Sequence, residues 1–335
     1  MHIIARCLLL FSLGGFLVGC APRSDVTAWV RHEVWSEEVW YSEWLGGGTS
    51  ARGLAVGYMR PEDRHKPIQE RTSTYLFYVQ LGEPFVARLL LGTGSDTAYP
   101  VVVSVFLDYK QVGFGLDGQW GLLHYLEIPP APTLMEIPLE VRIETSGWHD
   151  LFVVAFSEPE NRPVDPQMRL APSFPALGRR TVVCVGDCTI PELDAKLPDV
   201  RVGEDVGVQH THVFAWPLLP ADGRPAKERL LLAAEARPGE SFSLELWARN
   251  PSTDTRNYVI VPVLNFRQVP FAGEPLLYLS MPAGSELFIP GQVRLPGNKG
   301  VHELQFIIIS DPYQPLEEVR DHFVGSDMRS ALIVE

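Results

Sequence analysis

The chain has no apolar run as long as eighteen residues, the length a helix needs to cross a bilayer. Basic charge is scarce: 28 Lys and Arg stand against 41 Asp and Glu, for a formal net charge of -13. An acidic chain without a basic stripe excludes nucleic acid as a partner, and it excludes docking on anionic lipid by charge. Catalytic signatures are missing as well. There is no G-x-S-x-G, no H-E-x-x-H and no glycine loop shaped to cradle a phosphate. Carboxylates are plentiful, and none is set apart by its spacing. These absences lead to the expectation of a protein that is not an enzyme and carries no cofactor. Cysteine is nearly absent, with four residues, and two of them, Cys7 and Cys20, fall in the first twenty positions.

Those twenty positions read as a targeting segment. Arg6 precedes CLLLFSLGGFLVG, whose thirteen residues suit a signal peptide and are too few to span a membrane. The segment closes on Leu17-Val18-Gly19-Cys20, which resembles the lipobox of bacterial lipoproteins. The resemblance implies that residues 1–19 are a cleaved signal peptide and that Cys20 is acylated. It also implies an extracytoplasmic protein held by lipid on a membrane face. The alternative is an ordinary signal peptide with a chance cysteine. Outside the cytoplasm the remaining pair, Cys184 and Cys188 in TVVCVGDCTIPE, is expected to form a disulfide. Gly186-Asp187 supplies the turn that brings the two Cα atoms within about 7 Å. Two buried thiols are the plainer alternative. The pair alone makes no zinc site, which wants four ligands.

The body of the chain is written twice. Arg71 to Phe114 matches Glu228 to Phe271 at a constant shift of 157, so that FLDYKQVGF answers VLNFRQVPF. SGWHDLFVVAFSEP (Ser146 to Pro159) answers KGVHELQFIIISDP (Lys299 to Pro312) at a shift of 153. RTVVCVG (Arg180 to Gly186) answers RSALIVE (Arg329 to Glu335) at 149. Falling shifts with the order kept are the mark of duplication followed by loop trimming. Two copies are too few for a solenoid and suit two tandem domains.

Each copy reads as strands. In FSLELWARN, Phe242, Leu244, Leu246 and Ala248 share one face, while Ser243, Glu245, Trp247 and Arg249 share the other. Turn residues punctuate such segments every 8–12 residues or so, the pattern of an antiparallel sandwich. Pro262, inside a strand run, points to an edge strand or a bulge. The expected class is all-β: two tandem immunoglobulin-like antiparallel β-sandwiches over residues 70–186 and 228–335. An aromatic-rich extension (20–69) and a joining segment (187–227) complete the chain.

PGE-x-F-x-L-x-L-x-x-x-N, a V-x-V strand, a short Asp-centred hairpin and a late G-x-H-x-L together resemble the bacterial cell-adhesion-related (CARDB-type) immunoglobulin-like domains. The resemblance covers about residues 70–186 and 228–335 and implies a modular, non-catalytic habit. That family often places Asp-Gly at the hairpin, where Gly accepts positive φ. Tyr109 and Phe266 stand in that place here. The expectation is a turn of another type, or strand that simply continues.

His149 and His302 each follow the Gly-x turn that opens a penultimate strand. The structural reading has each ring bonding back to the adjoining loop; a pH switch or a metal ligand would need partners the sequence does not name. His210 and His212 share one face of a strand and form a weak metal candidate without a third ligand. Four of the eight tryptophans, Trp29, Trp35, Trp40 and Trp44, crowd into the extension. Core packing is the first account of them. An exposed row of Trp35, Trp40 and Trp44 that stacks on sugar rings is the second. The expected partners are therefore the membrane, through lipidated Cys20, and either another envelope protein or a polysaccharide.

Overall fold

The computed structural model describes residues 30–31, 40–41, 54–64, 66, 70–131, 133–169, 176–191, 201–203, 213–314, 324–326 and 328–335. In the first half, strands form where apolar and β-branched residues alternate or run together. They are β1 (Val30–Arg31), β2 (Trp40–Tyr41), β3 (Leu54–Met59), β4 (Leu76–Val79), β5 (Phe85–Thr93), β6 (Tyr99–Leu107), β7 (Lys110–Val112), β8 (Phe114–Leu116), β9 (Gln119–Gly121), β10 (His124–Ile128), β11 (Thr133–Val141), β12 (Gly147–Ser157) and β13 (Ala176–Val185). The second half continues with β14 (Arg201–Gly203), β15 (Phe214–Leu218), β16 (Ala233–Ala236), β17 (Ser241–Arg249), β18 (Arg256–Leu264), β19 (Arg267–Gln268), β20 (Leu277–Met281), β21 (Glu286–Arg294), β22 (Gly300–Ser310), β23 (Val324–Ser326) and β24 (Ser330–Val334). Among the described residues there is no α-helix.

Each half is a two-layer, immunoglobulin-like sandwich, and the pairing is antiparallel apart from short parallel entries. In the first, the sheet β3-β5-β11-β8-β9 faces the sheet that runs from β10 through β6 and β12 to β13 and β4. Phe85, Leu89, Leu91, Val101, Val103, Val153 and Ala155 fill the space between them. In the second, β14-β21-β17-β15 faces β18, β22, β24 and β16. There the alternation read from FSLELWARN holds: Leu244, Leu246 and Ala248 enter the core, and Phe242 packs at its margin. The parallel strands β4 on β13 and β16 on β24 occupy matching places in the two copies.

Pairing reaches beyond the expected domain limits. β3 lies in the segment 20–69 and pairs along β5, with Met59 opposite Arg88. β15 lies in the segment 187–227 and pairs along β17, with Leu218 opposite Glu245. Arg88 and Glu245 are themselves 157 apart, so both segments supply the same edge strand. LAVGYM and FAWPL share no residue pattern, which hides this part of the repeat from the sequence.

Pro262 calls for a correction. It sits in β18, an interior strand flanked by β22 on one side and by β20 and β19 on the other. The pairing with β20 ends at Ile260 and the pairing with β19 starts at Val263, so Pro262 falls in the gap. Its carbonyl accepts from Val269 on that side, at 3.0 Å. A strand residue points its nitrogen the same way as its carbonyl, so the missing N–H costs the ladder nothing.

Candidate functional site

Several strands are buried on both faces. β6 is buried from Val101 to Phe106, and β18 from Tyr258 to Leu264. The face that does not enter its own core meets the other sandwich. Val102, Phe106, Phe152, Val154 and Phe156 from the first copy pack with Val259, Val261, Val263, Ile307 and Ile309 from the second. The last strands join edge to edge, with Ala176 opposite Ser326 and Leu177 opposite Gly325. A shift of 149 carries 176 to 325 and 177 to 326, so the pairing maps onto itself. The two copies are thus related by an internal two-fold, and their seam has the reciprocal character of an isologous dimer interface.

Polar contacts across the seam are reciprocal too. The Gln111 amide N–H donates to Gln268 Oε1 at 2.8 Å, and the Gln268 N–H donates to Gln111 Oε1 at 2.9 Å. The side-chain nitrogens reach the Phe266 and Tyr109 carbonyls, at 2.8 and 2.9 Å. Arg180 crosses to the carbonyls of Ser310, Asp311 and Gln314, at 3.0, 2.8 and 3.1 Å. Its counterpart Arg329 crosses to Ser157, Glu158 and Asn161, at 2.8, 3.3 and 2.7 Å. The repeated Ser-acid-Pro phrase is therefore the dock for the other copy's arginine. Each arginine also meets a carboxylate on its own side: Arg180 with Asp150, fully buried, and Arg329 with Glu303. Arg169 holds Glu303 as well, through two hydrogen bonds of 2.8 and 2.9 Å.

The hairpins between β6 and β7 and between β18 and β19 supply the anchors. Asp108 and Tyr109 have φ of 49° and 66°, and Asn265 and Phe266 have 51° and 68°. Positive φ at both central residues is the geometry of the tight hairpin that usually takes Gly, so neither sequence expectation for this turn holds. A left-handed L-residue costs about 1–2 kcal/mol. Packing offsets it: the rings of Tyr109 and Phe266 are fully buried in the seam. The Tyr109 hydroxyl donates to Asp150, which also accepts the Tyr313 N–H at 2.8 Å. Burial pushes the Asp150 carboxyl up from its ordinary value, and Arg180 pulls it back.

Both histidines bond back to the loop before them, His149 Nε2 to the Thr145 carbonyl at 2.9 Å and His302 Nε2 to the Asn298 carbonyl at 3.0 Å. Cys184 and Cys188 are joined, with Cα atoms 5.3 Å apart around Gly186, whose φ is 64°. Gly186 also donates to the Val79 carbonyl at 3.2 Å, tying the disulfide loop to the end of β4. Trp40 lies in β2, whose backbone pairs with Thr133–Leu134 of the first sandwich. Cys20, Trp35, Trp44, His210 and His212 lie outside the described residues. Among the described residues, no group of three or more His, Cys, Asp or Glu is arranged to hold a metal ion. Arg180, Arg329, Gln111 and Gln268 had no role in the sequence reading. The available signal was their recurrence in both copies.

One edge stands apart from the seam. β4 pairs with β13 alone among the described residues. The Tyr75 and Val79 carbonyls accept from Val182 and Gly186, so the backbone alternation turns Leu76 and Tyr78 outward. Arg60 takes the Leu76 carbonyl at 2.6 Å. Tyr78 is 72% exposed, and Leu81, in the turn that follows, is 60% exposed. At the shift of 157 the second copy has Glu235 and Pro238 in these places, and Glu235 is exposed too.

No family model matches the chain, and neither does any curated protein. Among solved structures, red sea bream transglutaminase aligns over 86% of this chain and 32% of its own, at 9% identity and a TM-score of 0.23. Native E. coli α2-macroglobulin aligns over 86% of this chain and 17% of its own, at 9% identity and a TM-score of 0.27. Salmonella α2-macroglobulin reacted with methylamine aligns over 84% and 16%, at 12% identity and a TM-score of 0.26. This chain spans less than a third of each of those chains, and alignments this loose transfer nothing to it.

Proposed function

We propose that this chain is a lipid-anchored bacterial envelope protein. Its two cell-adhesion-like sandwiches act as one rigid, non-catalytic interaction module, and they take another envelope protein at the β4 edge of the first sandwich. The observation that carries the reading is the contrast at one strand position. Exposed sheet edges are aggregation-prone and are commonly blunted by charge. The second copy follows that rule with Glu235, while the first presents Tyr78 and, beside it, Leu81. An aromatic on an open edge is the arrangement that strand addition by a partner uses, with backbone bonds giving affinity and side-chain contacts giving choice. The anchor rests on the lipobox resemblance at Cys20.

The test is photo-crosslinking in intact cells, with benzoylphenylalanine placed at position 78 or at position 235. Discrete protein adducts from 78 and none from 235 are expected. In the same cells Cys20→Ala should move the chain out of the membrane fraction and weaken the adduct from 78. Equal adducts from both positions, or none from 78, would sink the edge reading. Adducts to polysaccharide alone would favour a sugar ligand instead.

A further inference from the structure

His149 and His302 occupy the same place in the two copies, but their partners differ in kind. His149 Nδ1 meets Asp108 Oδ2 at 2.7 Å and Nε2 meets the Thr145 carbonyl at 2.9 Å. A carboxylate and a carbonyl only accept, so making both bonds at once takes a proton on each ring nitrogen, which is the imidazolium form. Around His302 the carboxylate is replaced by Asn265. The Glu303 N–H donates to Asn265 Oδ1 at 3.1 Å, which fixes the amide's orientation. Asn265 Nδ2 then faces His302 Nδ1 at 2.8 Å and donates to it. With Nδ1 accepting, Nε2 is left to donate to the Asn298 carbonyl, so both bonds are made without a second ring proton.

We infer that the His149–Asp108 pair is a pH-sensitive latch on one end of the seam between the sandwiches, and that His302–Asn265 is its counterpart without the carboxylate at the other end. Asp108 begins the hairpin whose next residue, Tyr109, plugs the seam. Its other oxygen accepts the Asp150 N–H at 3.1 Å. The ionisable groups facing the pair are Asp150 on the histidine's own strand and Tyr109 on the hairpin. Arg180 comes from β13, and Tyr278 and Tyr313 come from the second sandwich. Glu144 and Lys110 nearby are exposed. Arg180 is held by Asp150 at 2.8 Å, so His149 is the cation that balances Asp108. Burial, then the negative charges of Asp108 and Asp150, push the Tyr278 hydroxyl up from its ordinary value. Once the imidazolium loses its proton, one of its two hydrogen bonds is lost. Asp108 is then an unbalanced anion beside Asp150 and the two tyrosines.

The Asp108 hydrogen bond raises the His149 pKa above its ordinary 6.5. A raised cation contributes its stability in full below about pH 6.5 and loses it as pH climbs through the folded value. The latch therefore loosens on the alkaline side.

The two hairpins carry their own reporters. The Asp108 N–H donates to the Asp150 carbonyl, and the Asn265 N–H donates to the Glu303 carbonyl, each at 2.8 Å. Hydrogen exchange of these amides in the intact protein, between about pH 6 and about pH 9, is read as a ratio that cancels the intrinsic pH dependence. Protection of Asp108 relative to Asn265 should fall about tenfold for each unit by which folding raises the His149 pKa. In long-range 1H–15N spectra followed over this range, the His149 ring should lose its second N–H proton at a higher pH than an ordinary imidazole. Asn265→Asp should confer the same loss on the second hairpin, and Asp108→Asn should abolish it in the first. A constant ratio, or a His149 ring that titrates as an ordinary imidazole, would overturn the proposal. If Asp108→Asn fails to fold, the wild-type ratio and ring signals still decide.

Discussion

Where the first sandwich sets Tyr78 on its outer edge strand, the second sets Glu235; where the first latches His149 to Asp108, the second ties His302 to Asn265. Along the seam the polar contacts keep their residues while the packing has changed: Phe106, Tyr109 and Phe152 answer to Val263, Phe266 and Gln305. Gln111 and Gln268 are the same residue and so are Arg180 and Arg329, while the docking turns share Ser and Pro and differ at Glu158/Asp311, Glu160/Tyr313 and Asn161/Gln314. The difference follows from geometry. Gln111 and Gln268 bond each other, so a change in one unmakes the bonds of both, and the arginines dock on backbone carbonyls, which any residue in the turn supplies. A residue off the seam meets solvent or its own loop, and each copy is free to specialise.

The comparison can be broken most severely at the arginines. Arg180→Ala strands Asp150 fully buried beside the Tyr109 hydroxyl, and removing one partner of a buried pair typically costs about 3–5 kcal/mol. Arg329→Ala should cost less, because Arg169 keeps its two bonds to Glu303. Denaturant melts of the two variants should rank in that order, and equal losses would mean that the ion pairs contribute nothing beyond the shared carbonyl contacts. A step smaller is the aromatic exchange. Tyr109→Phe removes the donor that Asp150 accepts and should cost about 1–3 kcal/mol. Phe266→Tyr adds a hydroxyl to the ring that lies beside Phe156 and under the Arg162 guanidinium, so it ought not to restore the bond lost in Tyr109→Phe when the two are combined. The mildest probe is a double-mutant cycle on Gln111→Ala and Gln268→Ala. Their reciprocal bonds predict a coupling of about 0.5–3 kcal/mol, and an additive pair would deny the two-fold contact.

Much of the frame was legible. The shifts of 157, 153 and 149 marked two copies, FSLELWARN showed its buried face, and the spacing of Cys184 and Cys188 around Gly186 marked a disulfide. The seam was legible only as a hint. VVVSVF and YVIVPVL run apolar without alternation, the signature of strands covered on both faces, yet nothing in such a run says what covers the second one. The edge strands β3 and β15 escaped because their sequences share nothing but place. The hairpin turns were misread because Tyr109 and Phe266 tolerate positive φ only once their rings are packed across the seam.

By itself, then, the sequence determined what repeats along the chain: strand periods, turns at short range, a nearby pair of cysteines, an acidic surface. Those depend on residues a few positions apart. Which faces mate, which group each histidine meets and which strand lies at an edge among the described residues were decided only in three dimensions. The mating faces depend on groups 157 residues distant meeting at 2.8 Å, and the histidine sites on groups 41 and 37 residues apart, where a single Asp-for-Asn difference changes which side donates the proton.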